Sequence, residues 1–133
     1  QNFLIDKKVI KKFIRTADLR AGDIVLEIGP GFGALTREIA KKAGKVIAVE
    51  KDKRIAEILK EKTKDFKNVE IINKDILKLN FPGSRGMGRN YKIAANLPFC
   101  IAIPVIRKFL EAKNPPEEMI LIVQKEIAQK ICS

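Results

Sequence analysis

The feature that most constrains the fold is a regular alternation of short apolar runs with amphipathic helical segments along the chain. Such runs match the length of buried strands, whereas the segments between them show helical periodicity or the composition of a loop. Strands that alternate with helices favour right-handed crossovers, and therefore an α/β domain with a parallel sheet covered by helices on both faces. The predicted strands are 24–28, 46–50, 69–72, 91–95 and 119–123, and the predicted helices are 6–18, 34–43, 52–66 and 103–113.

Ligands of such sheets bind outside the carboxyl ends of the strands. The first predicted strand runs directly into a glycine-rich turn that contains Gly29 and Gly31, and glycines allow a backbone to turn sharply and approach a ligand closely. Glu50 ends the second strand, where a carboxylate can accept both hydroxyls of an adenosine ribose. NAD and S-adenosylmethionine both contain that ribose, and the glycine pattern fits either cofactor.

Two further acids favour S-adenosylmethionine. Asp75 follows the third strand, so it is placed to accept a hydrogen bond from an adenine amino group. Its alternative role is the N-cap of residues 76–78. Glu27 precedes the glycine turn, from which an acid can reach the methionine end of the cofactor.

The tetrad Asn96-Leu97-Pro98-Phe99 at the end of the fourth apolar run is typical of an enzyme that methylates an amino group on a nucleic-acid base. Such a nitrogen is a poor nucleophile, so its N–H groups need fixed acceptors. The Asn96 side chain and the Leu97 carbonyl are candidates, since the following Pro98 restrains that backbone. Phe99 offers a stacking face for the base. The alternative is a turn with a buried aromatic ring.

Lysine and arginine outnumber aspartate and glutamate by 27 to 16, which gives a net charge of +11. This surplus favours a polyanionic partner, usually a nucleic acid. A solvated lysine-rich surface is the alternative. The residues predicted to contact phosphates are Lys7, Lys11 and Arg15 on one face of the first helix, and Arg85 and Arg89 in the predicted loop 82–90.

Several kinds of site are disfavoured by composition. The chain has no histidine, which excludes a histidine general base and argues against a zinc or transition-metal site. No apolar run approaches the roughly 20 residues of a membrane span. Cys100 and Cys132 lack metal-type spacing and are expected to be reduced thiols of a cytoplasmic protein.

Taken together, the motifs resemble the rRNA adenine N,N-dimethyltransferases, and their small-subunit (16S) branch in particular. The resemblance covers nearly all of the chain, and the ordered set of motifs is far more specific than any single one. It is carried by Gln1-Asn2-Phe3-Leu4, the run 27–36, Glu50, Asp75-Ile76, Asn96-Leu97-Pro98-Phe99 and Val123-Gln124-Lys125-Glu126.

The resemblance implies a Rossmann-like class I S-adenosylmethionine-dependent methyltransferase fold. It also implies an enzyme that dimethylates neighbouring adenines near the 3′ end of small-subunit rRNA in a ribosomal particle. It places Asn2 and Leu4 at the methionine part of the cofactor, Glu50 at the ribose and Asp75 at the adenine. Asn96 would border both the cofactor and the target base.

Members of this family carry further strands and a small helical C-terminal domain. We therefore expect residues 1–133 to be a partial methyltransferase domain, cut after the fifth strand, of a protein that is monomeric at full length. Phe99 stands where tyrosine is common in the family. The rival functions are a large-subunit (23S) rRNA methyltransferase of the macrolide-resistance type, a non-catalytic nucleic-acid-binding factor on the same fold, and a nicotinamide-dependent oxidoreductase.

Overall fold

The computed structural model describes residues 5–80 and 90–124. Asn2, Leu4, Arg85, Arg89 and residues 125–133, to which parts of the sequence analysis refer, lie outside this described part. In chain order its elements are α1 (Lys7–Ala17), β1 (Ile24–Ile28), α2 (Ala34–Lys42), β2 (Lys45–Val49), α3 (Lys53–Lys62), β3 (Val69–Ile72), β4 (Tyr91–Pro98), α4 (Phe99–Leu110) and β5 (Glu118–Gln124).

The strands form one parallel sheet in the order β3-β2-β1-β4-β5. The chain first adds strands on one side of β1 and then crosses to add β4 on its other side. The strand order therefore reverses next to β1, and this switch point opens a crevice at the carboxyl ends of β1 and β4. In the register of the sheet, Ile28 at the end of β1 lies between Val49 and Ala95.

Two buried clusters cover the two faces of the sheet. One contains Ile10 and Phe13 of α1 with Leu35 and Ile39 of α2. The other cluster contains Val105 and Phe109 of α4. Alternate residues of each central strand point to opposite faces, which explains why these strands are apolar throughout rather than alternating with polar residues.

The buried faces of two helices differ from the prediction by one or two positions. For α1 the sequence predicts an apolar face of Val9, Ile10, Phe13 and Ile14. The buried residues are Ile10, Phe13 and Ala17, whereas Val9 is 37% exposed. For α3 the apolar positions of the sequence predict that Ile55, Ile58 and Leu59 face inward; Ile55 and Leu59 are buried, whereas Ile58 is 42% exposed. Helical periodicity does not predict whether a residue at the border of an apolar face is buried. Contact with the sheet decides which of these residues is covered.

The prediction for the fourth helix was wrong at its start. It placed Pro104 in the first turn of a helix over 103–113, but α4 begins at Phe99 and Pro104 lies inside it. An internal proline removes one helical hydrogen bond. The helix tolerates this loss because Ala102, Val105 and Phe109 recur along one face and are buried. Packing on the sheet therefore outweighs the local signal of the proline.

The described part of the chain contains no helix that is long and apolar enough to cross a membrane. The expectation of reduced thiols is wrong for Cys100, which is disulfide-bonded in the structure. The spacing of cysteines along a sequence does not by itself reveal whether one of them forms a disulfide bond.

Candidate active site

The glycine turn after β1 lies directly against the end of β4. Gly29 has a φ of +73°, and a Cβ atom on it would lie 2.8 Å from the Asn96 carbonyl oxygen and 2.9 Å from Cδ2 of Leu97. Gly31 and Gly33 also have positive φ angles, of +57° and +91°. Any side chain at residue 29 would push apart the turn and β4, so glycine is required there by both conformation and space.

Glu27 is a buried acid under this turn. Its side chain is 1% exposed, and its Oε1 atom accepts a hydrogen bond of 2.5 Å from the Thr36 hydroxyl at the start of α2. Burial raises the pKa of the carboxyl from 4.5 to about 7, although the Thr36 hydrogen bond opposes the shift. The carboxyl therefore changes its charge near neutral pH.

Glu50 joins the end of β2 to the glycine turn. Its Oε2 atom accepts a 2.9 Å hydrogen bond from the backbone N–H of Asp52, and the carboxylate also accepts one from the N–H of Gly31. Burial raises the pKa of Glu50, and these backbone donors counteract part of the rise. The Asn73 side chain donates to the Glu50 carbonyl at 2.9 Å, which fixes the backbone of this acid from β3.

Asp75 begins a turn that follows β3. Its Oδ1 atom accepts a hydrogen bond of 3.0 Å from the N–H of Leu77, and its backbone carbonyl accepts from Lys78 and Leu79, both at 3.0 Å. Asp75 therefore caps residues 76–78 as the alternative prediction states, although these residues form a turn rather than a helix. Capping occupies one carboxylate oxygen and is compatible with a further acceptor role for the other.

The tetrad spans the last strand residues and the first helical residue. Asn96, Leu97 and Pro98 belong to β4, and among residues 5–80 and 90–124 their one strand partner is β5, because β1 ends opposite Ala95. A proline is tolerated where a strand is unpaired on one side. Phe99 starts α4 and its side chain is 58% exposed. The alternative of a turn with a buried aromatic ring is therefore wrong.

A cavity of about 400 Å³ opens at the switch point. It brings together three predicted site residues, Glu27, Gly29 and Asn96, whereas Glu50 and Asp75 do not line it. The other lining residues come from the glycine turn, from α2, from α3 and from the segment before α1. They are Ile5, Pro30, Phe32, Ala34, Leu35, Arg37, Ile58 and Lys62.

Sequence reasoning missed several of the side chains that build this region. Thr36 lies in the run 27–36 and has no predicted role of its own, although it is the hydrogen-bond partner of Glu27. Arg37 and Lys62 were not singled out because cations are frequent throughout this basic chain. Only the packing of α2 and α3 beside the glycine turn brings them to the cavity. Among residues 5–80 and 90–124 no group of acids, cysteines or histidines has the arrangement of a metal site.

Comparisons with known proteins show the family to which the chain belongs. The pattern of the family described as ribosomal RNA adenine dimethylase matches residues 1–133. The chain belongs to this family. A curated relative from Dehalococcoides mccartyi (strain CBDB1), named ribosomal RNA small subunit methyltransferase A, is 48% identical over 131 residues. That match covers 98% of this chain but 45% of the relative, so the chain spans about half the length of such relatives.

Two solved structures share the fold of this family member. The 23S rRNA methyltransferase ErmE is 36% identical, with a TM-score of 0.78 over 90% of this chain and 48% of its own. A dimethyladenosine transferase from Plasmodium falciparum is 30% identical, with a TM-score of 0.79 over 93% of this chain and 44% of its own. The predicted Rossmann-like class I methyltransferase fold is therefore confirmed.

The raised pKa of Glu27 predicts a specific pH dependence of stability. The folded protein holds a proton on Glu27 that the unfolded chain releases, so the free energy of unfolding should fall as pH rises from about 4.5 through about 7. The loss should be on the order of 3 kcal/mol. Glu27→Gln cannot ionise and should remove this part of the pH dependence, measured by urea denaturation at pH 5 and pH 8.

Glu57→Gln, on the exposed face of α3, is the matched control for this measurement. It should retain the wild-type difference in stability between the two pH values. If Glu27→Gln retained that difference as well, Glu27 would not be the group responsible.

Proposed function

We propose that this chain is the S-adenosylmethionine-binding part of an rRNA adenine dimethyltransferase that acts on small-subunit rRNA. The observation that carries the proposal is the contact of the glycine turn with the tetrad at Gly29 and Asn96. A turn of the type that binds an adenosine cofactor and a motif of the type that binds an adenine amino group thus share one cavity. Family membership supports the same chemistry.

The residues around the turn fit S-adenosylmethionine. Glu50 stands at the end of β2, where its carboxylate can accept the ribose hydroxyls, and Asp75 lies one strand further out towards the adenine. Glu27 and the backbone of Gly29 and Gly31 would border the methionine part. S-adenosylmethionine supplies the methyl group when bound. Asn2 and Leu4 remain predicted contacts of its methionine end.

The tetrad then holds the target base. The Asn96 side chain and the Leu97 carbonyl accept the two N–H bonds of the adenine amino group, which raises the electron density on nitrogen as it becomes tetrahedral. Pro98 restrains this backbone, and the exposed ring of Phe99 stacks on the extruded base. No general base is assigned, since a methylated ammonium nitrogen loses its proton readily to water. Rate enhancement comes from alignment and from acceptors fixed in advance.

A 23S rRNA methyltransferase is the second candidate function, and the similarity to ErmE favours it. The relative from Dehalococcoides mccartyi, at 48% identity, favours small-subunit rRNA. Methylation of free 23S rRNA against that of small ribosomal subunits distinguishes the two. The tetrad and both strand-end acids argue against a factor that binds nucleic acid without catalysis.

The proposal also covers the rest of the protein, its RNA partner and where in the cell it acts. We infer that residues 1–133 form part of a methyltransferase domain that a helical C-terminal domain completes. The partner is small-subunit rRNA within a pre-ribosomal particle, the full-length protein is monomeric, and it acts in the cytoplasm. The net charge of +11 supports the RNA partner.

The cofactor assignment is tested by calorimetric titration with S-adenosylhomocysteine, with NAD as the control ligand. We expect S-adenosylhomocysteine alone to bind, because Asp75 and the tetrad match a methyltransferase rather than an oxidoreductase. Binding of NAD in its place would contradict the proposal.

Replacing the amide acceptor should separate catalysis from cofactor binding. Asn96→Ala should lower turnover by about 10²–10³-fold, as expected for the loss of one oriented polar group. Affinity for S-adenosylhomocysteine should change little, because the variant keeps the backbone that contacts Gly29. Single-turnover methylation of small ribosomal subunits measures the first quantity and calorimetry the second. Methylation near the wild-type rate would exclude Asn96 as the acceptor.

The basic face of α1 should contribute to RNA affinity. Lys7, Lys11 and Arg15 are all exposed, and Ile5, just before the helix, lines the cavity. Replacing all three cations by alanine should weaken binding to single-stranded rRNA fragments. The slope of log affinity against log salt should fall by roughly 2, because each lost phosphate contact removes about 0.7.

A control with the same loss of charge separates this local role from net charge. Lys53, Arg54 and Lys60 are three exposed cations of α3. Their replacement by alanine should leave the salt slope close to the wild-type value. Equal effects of the two triple variants would show that α1 has no special role.

A further inference from the structure

Lys108 connects α4 to the turn that begins with Asp75. Its Nζ atom donates a hydrogen bond of 2.6 Å to the backbone carbonyl of Ile76 and another to that of Leu79. The side chain is half-buried. Burial lowers the pKa of its ammonium group, whereas the charge of Asp75 acts in the opposite direction. The partly buried ammonium group of Lys108 thus binds two carbonyls of one short turn and interacts electrostatically with Asp75, the acid at the start of that turn.

Bonds inside the turn determine its shape but not its orientation to the sheet. The Asp75 carbonyl accepts from Lys78 and Leu79, and its side chain accepts from Leu77. All of these partners lie within the turn itself. The buried side chain of Ile76 and the partly buried side chain of Leu79 pack the turn against the core, but apolar contacts are not directional and fix the orientation of the backbone carbonyls less strictly than hydrogen bonds do. The two hydrogen bonds from Lys108 add this directional restraint at the carbonyls of Ile76 and Leu79.

We propose that Lys108 is a positioning residue that directs the Asp75 carboxylate towards the amino group of the cofactor's adenine, and so sets selectivity for that base. The inference rests on the proposed function, since it takes Asp75 as the acceptor of the adenine amino group. Lys108 itself touches neither cofactor nor base in this proposal. It acts by holding the carbonyls of Ile76 and Leu79, which fixes the backbone that directly follows the acid.

The same helix serves both ends of the site. Phe99 begins α4 and Lys108 lies nine residues later, about 13 Å along the helix axis. The proposed stacking residue for the target base and the residue that steadies the cofactor-reading turn are therefore parts of one rigid element. Any tilt of α4 would move both together.

The test compares two ligands that differ in a single donor. One is S-adenosylhomocysteine, and the other is its analogue with hydrogen in place of the 6-amino group of the purine. Calorimetry gives the affinity of each for the wild type, Lys108→Met and Lys108→Arg. Methionine keeps the length of the stem but lacks the donors, whereas arginine retains them. Lys113→Met, at an exposed position after α4, controls for the loss of one positive charge.

We expect the wild type to prefer S-adenosylhomocysteine by about tenfold or more, as for a hydrogen bond to a charged acceptor. Lys108→Met should lose most of this preference by weaker binding of S-adenosylhomocysteine, while binding of the analogue changes less than about twofold. Lys108→Arg and Lys113→Met should keep the preference. Far-ultraviolet circular dichroism confirms that each variant is folded.

The opposing outcomes separate this inference from the proposed function. If Lys108→Met weakened both ligands equally, or left the preference intact, the positioning role would be overturned and Asp75 would keep its own. If the wild type itself showed no preference, the assignment of Asp75 to the adenine would fail, and the role of Lys108 with it. Binding of neither ligand by the folded wild type would overturn the cofactor assignment.

Discussion

The site depends on the close approach of Gly29 to the carbonyl oxygen of Asn96. β4 pairs beside β1 and continues past its end to Pro98, so the turn that leaves β1 lies against the last residues of β4. A Cβ atom on residue 29 would lie 2.8 Å from that oxygen, so the close approach is possible only for glycine. The same contact sets the distance between the turn that we assign to the cofactor and the tetrad that we assign to the base. Topology and one missing side chain therefore determine where methyl transfer would occur.

Two buried acids stabilise the arrangement around this contact in different ways. Glu50 accepts hydrogen bonds from the backbone of Asp52 and Gly31, so it ties β2 to the glycine turn. Glu27 lies deeper and receives a hydroxyl hydrogen bond from Thr36. Burial raises the pKa of both carboxyls. Burying the two carboxyl groups removes their hydration, which costs free energy of folding. The hydroxyl and ammonium groups of the cofactor that we propose would compensate for this loss when it binds.

The periphery of the site is organised by backbone carbonyls as much as by side chains. Asn73 donates to the carbonyls of Glu50 and Lys51, and Lys108 donates to those of Ile76 and Leu79. Each amide or ammonium group thus fixes the backbone at or next to an acid that we assign to the cofactor. Loops at the carboxyl ends of a sheet have no strand partners, so such cross-links replace the restraint that sheet pairing gives elsewhere.

Most strands and helices could be predicted from the local pattern of apolar residues, because buried strands and amphipathic helices have distinct apolar patterns. β1 and β3 have the predicted bounds, and the other strands differ by a few residues at most. The start of α4 could not be predicted from the sequence. Pro104 is typical of the first turn of a helix, whereas the burial of Ala102, Val105 and Phe109 stabilises a helix that begins before it. The partners Thr36 and Lys108 were also hidden. Each lies many residues from the group that it contacts, and neither residue type signals a site on its own.

The sequence by itself determined the order of strands and helices, the glycine turn, the acids at the strand ends and the tetrad. These features are local, and each has a physical meaning within a few residues of chain. Only the tertiary structure decided that the turn and the tetrad meet, because that contact depends on β4 pairing beside β1. It also decided the protonation of Glu27 near neutral pH and the grip of Lys108 on the Asp75 turn. Both follow from burial and from distances between groups that are remote in sequence, which no local pattern encodes.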